Sequence, residues 1–249
     1  MELESRAYSD RNANLRHKTS TRRSSLGVTD DFDRDCNLHY TQTSAITMSP
    51  DPSPKWSLTK SSAVSPVPTP TYPTGGLWTI LTSTTIEAPP DAVLEATLDT
   101  STWPKWNTFV QRADILSQPP LDSKNPSKLR VGTKATFHSK MKETGPTNSS
   151  FSDHEVVSIE KIATGGESGW RVVWKTIGIP GGDWTLRAER VQELVEIKLE
   201  DGRVGTEYKT WGTFGGPMAY ALNWAGTKDD IEARFGDWAN DLKAYVEGL

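Results

Sequence analysis

The stretch "TTIEAPPDAVLEATLDTSTWPKWNTF", Thr84 to Phe109, reads as strand end, short helix and aromatic turn. Leu77 to Ile86 is β-branched and aromatic and predicts a strand. Pro90 suits a first helical turn, Asp91 complements the helix dipole, and Val93, Leu94 and Leu98 form an apolar stripe. Pro104 then ends or redirects the helix. Around it stand Trp103, Trp106 and Phe109. Each such ring hides about 150–250 Å² when buried, roughly 4–6 kcal/mol at ~25 cal/mol per Å². Either the protein's own core or a ligand must cover them.

Downstream, strand-like segments fall at about 109–116, 131–141, 153–163, 169–177, 183–199 and 204–215. Pro119-Pro120, Gly145-Pro146, Gly165-Gly166, Pro180-Gly181-Gly182 and Asp201-Gly202 separate them. Connections this short predict antiparallel pairing, because parallel crossovers need a dozen or more residues. From about Pro217 a long helix is expected, with Gly226 as a point of bending. Ile231, Phe235, Trp238, Leu242, Tyr245 and Leu249 recur at helical spacing and draw one apolar face. That face needs a surface to lie on, so the expected class is α+β, a curved seven-stranded antiparallel sheet under a long C-terminal helix.

Upstream the texture differs. Residues 1–47 are polar with mixed charges, the composition of a disordered tail. Residues 48–75 carry seven prolines among serines and threonines and read as an extended linker, leaving 76–249 as the folded domain. Met48, at the head of that linker, is a second candidate for the translation start.

Up to residue 75 there are 9 Lys+Arg against 8 Asp+Glu, which leaves 28 − 9 = 19 against 32 − 8 = 24 beyond it. A domain of net charge −5 argues against nucleic-acid binding. The one cysteine, Cys36, lies in the tail, so a disulfide within the chain is excluded and an intracellular, cytoplasmic setting is expected. Arg11 to Ser25 has the Arg/Ser content of a transit peptide but acidic residues precede it, which makes mitochondrial import the weaker reading. No apolar run approaches the ~18–20 residues of a membrane span.

The run Thr84 to Val93, the turn Trp103-Pro104-Lys105-Trp106-Asn107-Thr108-Phe109 and the closing Phe214-Gly215-Gly216-Pro217-Met218-Ala219-Tyr220-Ala221-Leu222 together resemble the START-like (SRPBCC) superfamily. This group includes polyketide cyclases and lipid-transfer domains, and the resemblance spans residues 76–249. It implies a helix-grip fold: a sheet wrapped around the last helix, two short helices after the first strand, and an apolar cavity between sheet and helix. Many members carry a glutamate on the last strand where this chain has Gly212. The glycine removes an obvious acid or base and opens space.

Strand alternation sorts the candidates by face. Tyr208, Thr210, Gly212 and Phe214 share one side, which the resemblance makes the cavity side. Phe137 and Met141 share a side with Ala135 and Ser139, while His138 falls opposite and is read as solvent-facing. Trp170 and Trp174 point inward, with core packing and cavity lining both open to them. Trp103 and Trp106 are expected to divide, one sealing the core and the other bordering the cavity, with Phe109 starting an inward face. Met218 and Leu222 present the last helical segment's apolar side.

As weak catalytic candidates the chain offers His154, for which an exposed strand-end role is the competing reading, and the hydroxyls of Tyr208 and Thr210. No phosphate loop, dinucleotide fingerprint or metal-ligand spacing occurs, so neither cofactor nor metal is expected. The leading reading is therefore a module binding a small, largely apolar polyketide, isoprenoid or lipid-like molecule. A cofactor-independent cyclase, dehydratase or isomerase of specialised metabolism is the alternative. A third reading, an interaction module, requires Phe137, Trp174, Tyr208 and Phe214 to fill the space, leaving a void below ~100 Å³ where ligand pockets run ~300–1,000 Å³. Oligomeric state is left open.

Overall fold

The computed structural model describes residues 61–120, 125–142, 149–163 and 165–249, all within the compact unit Pro52–Leu249. The expected disordered tail 1–47 lies outside the described residues, as does the linker up to residue 60. Eight strands form one antiparallel sheet: β1 (Ser62–Val64), β2 (Trp78–Ile86), β3 (Val110–Ser117), β4 (Lys134–Lys140), β5 (Ser149–Ile162), β6 (Gly169–Ile177), β7 (Arg187–Lys198) and β8 (Val204–Gly215). The spatial order is β1-β2-β8-β7-β6-β5-β4-β3, with β1 and β3 at opposite edges.

This corrects the expected architecture. The sheet has eight strands rather than seven, and it is open, neither curled nor closed around the last helix. The eighth strand is β1, inside the Pro/Ser/Thr-rich stretch. Three residues, Ser62-Ala63-Val64, pair with Leu81, Ile80 and Thr79, too short a run to show any alternation in sequence.

Two short helices follow β2, α1 (Pro90–Leu98) and α2 (Trp103–Trp106), each with a proline in its first turn. The expected single C-terminal helix is two, α3 (Pro217–Trp224) and α4 (Thr227–Glu247). Gly226 stands between them at φ 76°, a left-handed conformation that glycine adopts without a Cβ penalty. Helix α4 buries Ile231, Phe235, Trp238, Ala239, Leu242 and Val246. No helix among the described residues is long and apolar enough to cross a membrane.

Both faces of the central strands are covered. On the α4 side, Trp238 meets Trp103 and Trp106 edge-on, each at 5.4 Å between centroids, and Trp174 at 5.9 Å. On the other side Leu81, Val173, Val191 and Trp211 cluster with Val67 from the segment before β2. That segment is bonded to the sheet: Thr213 Oγ1 donates to the Val67 carbonyl at 2.7 Å, and the Val67 amide donates to Thr79 Oγ1 at 2.8 Å. Below, "inner" denotes the α4 side and "outer" the side under residues 61–75.

Candidate functional site

Strand alternation on β7 puts Ala188, Arg190, Gln192 and Leu194 inward, opposite Phe214, Gly212, Thr210 and Tyr208 of β8. Towards the β1 end of the α4 seat the inner face is sealed by Ile80, Trp78, Ile231 and Phe235. Between the middle of the sheet and the two C-terminal helices a cavity of about 260 Å³ remains. Phe137, Met141 and Trp174 form its sheet wall, with Phe214 and Phe109 beside them, and Met218, Leu222, Ile231, Phe235 and Trp238 come from the helices. Phe109 is placed by Asn107, whose Oδ1 accepts the Phe109 and Val110 amides at 3.0 and 2.7 Å and turns the chain from α2 into β3.

Other expected site residues stand outside the lining. Trp103 is fully buried, donating its indole N–H to the Thr97 carbonyl, and Trp106 stacks on Tyr245 at 5.9 Å. Both indoles therefore face protein. Trp170 donates to Asp91 Oδ1 at 2.6 Å, fastening β6 to α1. Tyr208 is fully buried and gives its proton to Gln192 Oε1 at 2.6 Å. Burial raises the phenol's pKa, and the nearby Arg190 guanidinium partly offsets that rise. Thr210 donates to the Val191 carbonyl at 3.0 Å and accepts from Arg190 Nε at 3.0 Å. These two hydroxyls thus form the layer behind the wall. His138 lies on the other face, within 2.8 Å of Asp114.

His154 does line the cavity. Its ring stacks on Phe137 at 4.5 Å, its Nε2 lies 2.8 Å from Ser152 Oγ, and its buried Nδ1 has no hydrogen-bond partner. Burial, helped by the positive charge of Arg190 against the opposing pull of Asp153, lowers its pKa from 6.5 to about 4. At neutral pH it is an uncharged imidazole.

Arg190 is the polar residue that the sequence reading missed. It is 7% exposed, and its guanidinium carbon lies 4.2 Å from the Phe235 ring centre, 4.6 Å from Trp238 and 6.0 Å from Trp174. One terminal nitrogen, Nη2, is buried without a hydrogen-bond partner. Burial pushes its pKa down, opposed by Tyr208. The signal was available in "RAERVQEL", 187–194: on a strand pairing with 208–214, residue 190 shares the face of Gly212. The segment 183–199 is expected as a strand, but its residues were not sorted by face.

Among the described residues no group of histidine, cysteine, aspartate and glutamate side chains is arranged to hold a metal ion. The site is a mainly apolar chamber whose polar lining includes Ser152, Thr176 and Glu189 as well as the neutral imidazole of His154 and the buried guanidinium of Arg190. No family model matches the chain. A Penicillium oxalicum protein, oxopyrrolidines biosynthesis cluster protein O, is 34% identical over 176 residues, covering 68% of this chain and 87% of that protein. The chain belongs to the family of that cluster protein O.

Solved structures similar to this member of the cluster protein O family are distant. A hypothetical protein of Helicobacter pylori has a TM-score of 0.46 at 18% identity, over 67% of this chain and 86% of its own. Ara h 8.0201 follows at 0.44 and 15%, over 69% and 98%. A START superfamily protein from Mycobacterium smegmatis stands at 0.41 and 14%, over 69% and 98%.

Proposed function

We propose that the chain binds a small, largely apolar molecule in the chamber between the inner face of the sheet and helices α3 and α4. The observation that carries this reading is the cavity of about 260 Å³ with aromatic and aliphatic walls, close to the ~300 Å³ at which ligand pockets begin. It also exceeds the ~100 Å³ that a packed interaction module would leave. The printed name of the Penicillium relative ties that protein to an oxopyrrolidine biosynthesis cluster. Carried to this chain, it makes a specialised metabolite, such as a pyrrolidinone bearing an apolar chain, the ligand to try first.

Trp174 and Trp238 line the cavity, so their fluorescence reports occupancy. Titration of the full chain with N-acyl pyrrolidin-2-ones of graded chain length is expected to give a saturable change with a length optimum. Protein isolated from its native host is expected to carry a bound small molecule in native mass spectrometry. A flat fluorescence response together with a bare protein mass would overturn the reading.

One observation supports the second reading, a cofactor-independent cyclase, dehydratase or isomerase. His154 is neutral at pH 7, has an unpartnered Nδ1 and lines the chamber, so it suits proton transfer at a bound carbon acid. Conversion of a bound precursor to a product of altered mass or retention, lost in His154→Ala but not in His138→Ala, would favour this reading over a carrier.

A further inference from the structure

We propose that the ligand is an anion, an apolar molecule bearing one delocalised oxyanion (a carboxylate or an acidic enol), and that Arg190 is the group that holds it. This rests on the cavity reading above and specifies the ligand's head group. Arg190 lines the cavity while 93% of its surface is buried, and among the described residues no carboxylate pairs with it. Glu189 is adjacent in sequence, but strand alternation turns it outward, where its carboxylate accepts the amide and hydroxyl of Thr71. Gly212, the cross-strand partner of Arg190, has no side chain to offer. A Cβ there would stand 2.6 Å from Phe235 Cζ, so the space that a counter-ion would need is taken by an aromatic ring.

What the protein gives the guanidinium is hydrogen bonding with the uncharged hydroxyls of Thr210 and Tyr208, and aromatic faces from Phe235 and Trp238. Aromatic faces attract a cation only weakly. A buried charge without an ion partner is left well short of its hydration. The planar fork keeps Nη2 and its hydrogens unengaged, a geometry suited to the paired oxygens of a carboxylate or an enolised dicarbonyl. Aromatic walls then receive the rest of the molecule. His154 is neutral and leaves the anion's charge to Arg190.

The test is competitive binding by the full chain at pH 7.5, read through tryptophan fluorescence, with two matched pairs. Decanoate is compared with methyl decanoate, and a 3-alkanoylpyrrolidine-2,4-dione, ionised at that pH, with the N-alkanoylpyrrolidin-2-one of equal chain length. The wild type is expected to prefer the acidic member of at least one pair by tenfold or more. Which pair shows the larger ratio separates carboxylate from enolate. In Arg190→Met the preference is expected to collapse to within about twofold while the neutral members still bind. Equal affinity within both pairs in the wild type would overturn the anion assignment and leave the cavity reading standing. Preference that survives in Arg190→Met would overturn the role of Arg190. Binding of none of the four would overturn the cavity reading and this inference with it. Should Arg190→Met fail to fold, the wild-type ratios alone decide the anion assignment, and Arg190→Lys, which keeps the charge but not the planar fork, tests the residue.

Discussion

The two faces of β7 treat buried charge in opposite ways. Outward, Glu193 is fully buried but meets Arg171 at 2.6 Å and stands across from Lys209, while Glu189 is held by Thr71. Inward, Arg190 is also buried and has an aromatic cage where a carboxylate would be expected. Buried polar groups are costly unless partnered inside the protein. The outer face meets that condition for its two buried carboxylates, through Thr71 and the Arg171 ion pair, and it reads as structural. The inner face leaves it unmet beside an open volume, and it reads as a place for something from outside.

Arg171→Met should have the largest effect. It removes one partner of the buried Glu193 carboxylate, and losing one partner of a buried pair costs ~3–5 kcal/mol. With Arg171 partly exposed and Lys209 near, about 3 kcal/mol is expected by urea denaturation. A loss under ~0.5 kcal/mol would mean that the outer pair behaves as a surface one.

Gly212→Ala comes next. The added methyl meets Phe235 at 2.6 Å and Phe214 at 3.3 Å, so about 2 kcal/mol of overpacking is expected, with a weaker response to cavity ligands as Phe235 shifts off Arg190. Unchanged stability and binding would show that the ring has room to move. Thr71→Val removes one donor to Glu189 and leaves the Thr71 amide in place, for a loss of about 1 kcal/mol in the same assay.

The last effect depends on pH, negligible at pH 7 and growing as the pH falls. His154 refuses a proton until about pH 4, whereas the unfolded chain takes one up near 6.5. The unfolded state is therefore favoured as pH falls through that window, and stability is fully present above it. Denaturation midpoints of wild type and His154→Phe at pH 7, 5.5 and 4.5 should diverge, the wild type falling faster. Parallel curves would place the acid sensitivity elsewhere.

Much of the scaffold was legible in the sequence because its signals were periodic. The seven longer strands, the breaks at glycine and proline pairs, and the α4 stripe from Ile231 to Leu242 all repeat often enough to show. β1 did not, since three residues among prolines carry no period and gain strand geometry only from pairing with β2. Sheet curvature was taken from family likeness, which the open strand order overturns. Within the site, Phe109, Phe137, Met141, Trp174, Phe214, Met218 and Leu222 line the cavity. One of Trp103 and Trp106 was expected at the cavity and Trp170 was open to it, but their indole N–H groups bond to protein, to Thr97 and Thr102 close in sequence and to Asp91 far from it. Arg190 was hidden for the converse reason: its meaning depends on Gly212 and Phe235, which are distant in sequence.

The thermal midpoint of ligand-free Arg190→Met tests this account most directly. Exchange of a whole buried ion pair for apolar side chains of similar volume is often neutral or stabilising, and a buried cation with no ion partner has still less Coulombic attraction to lose. The account therefore predicts a melting temperature at or above that of the wild type, in contrast to the fall in Arg171→Met. A fall of the same size in both variants would show that Arg190 is a structural residue already satisfied by the fold, and would contradict the account.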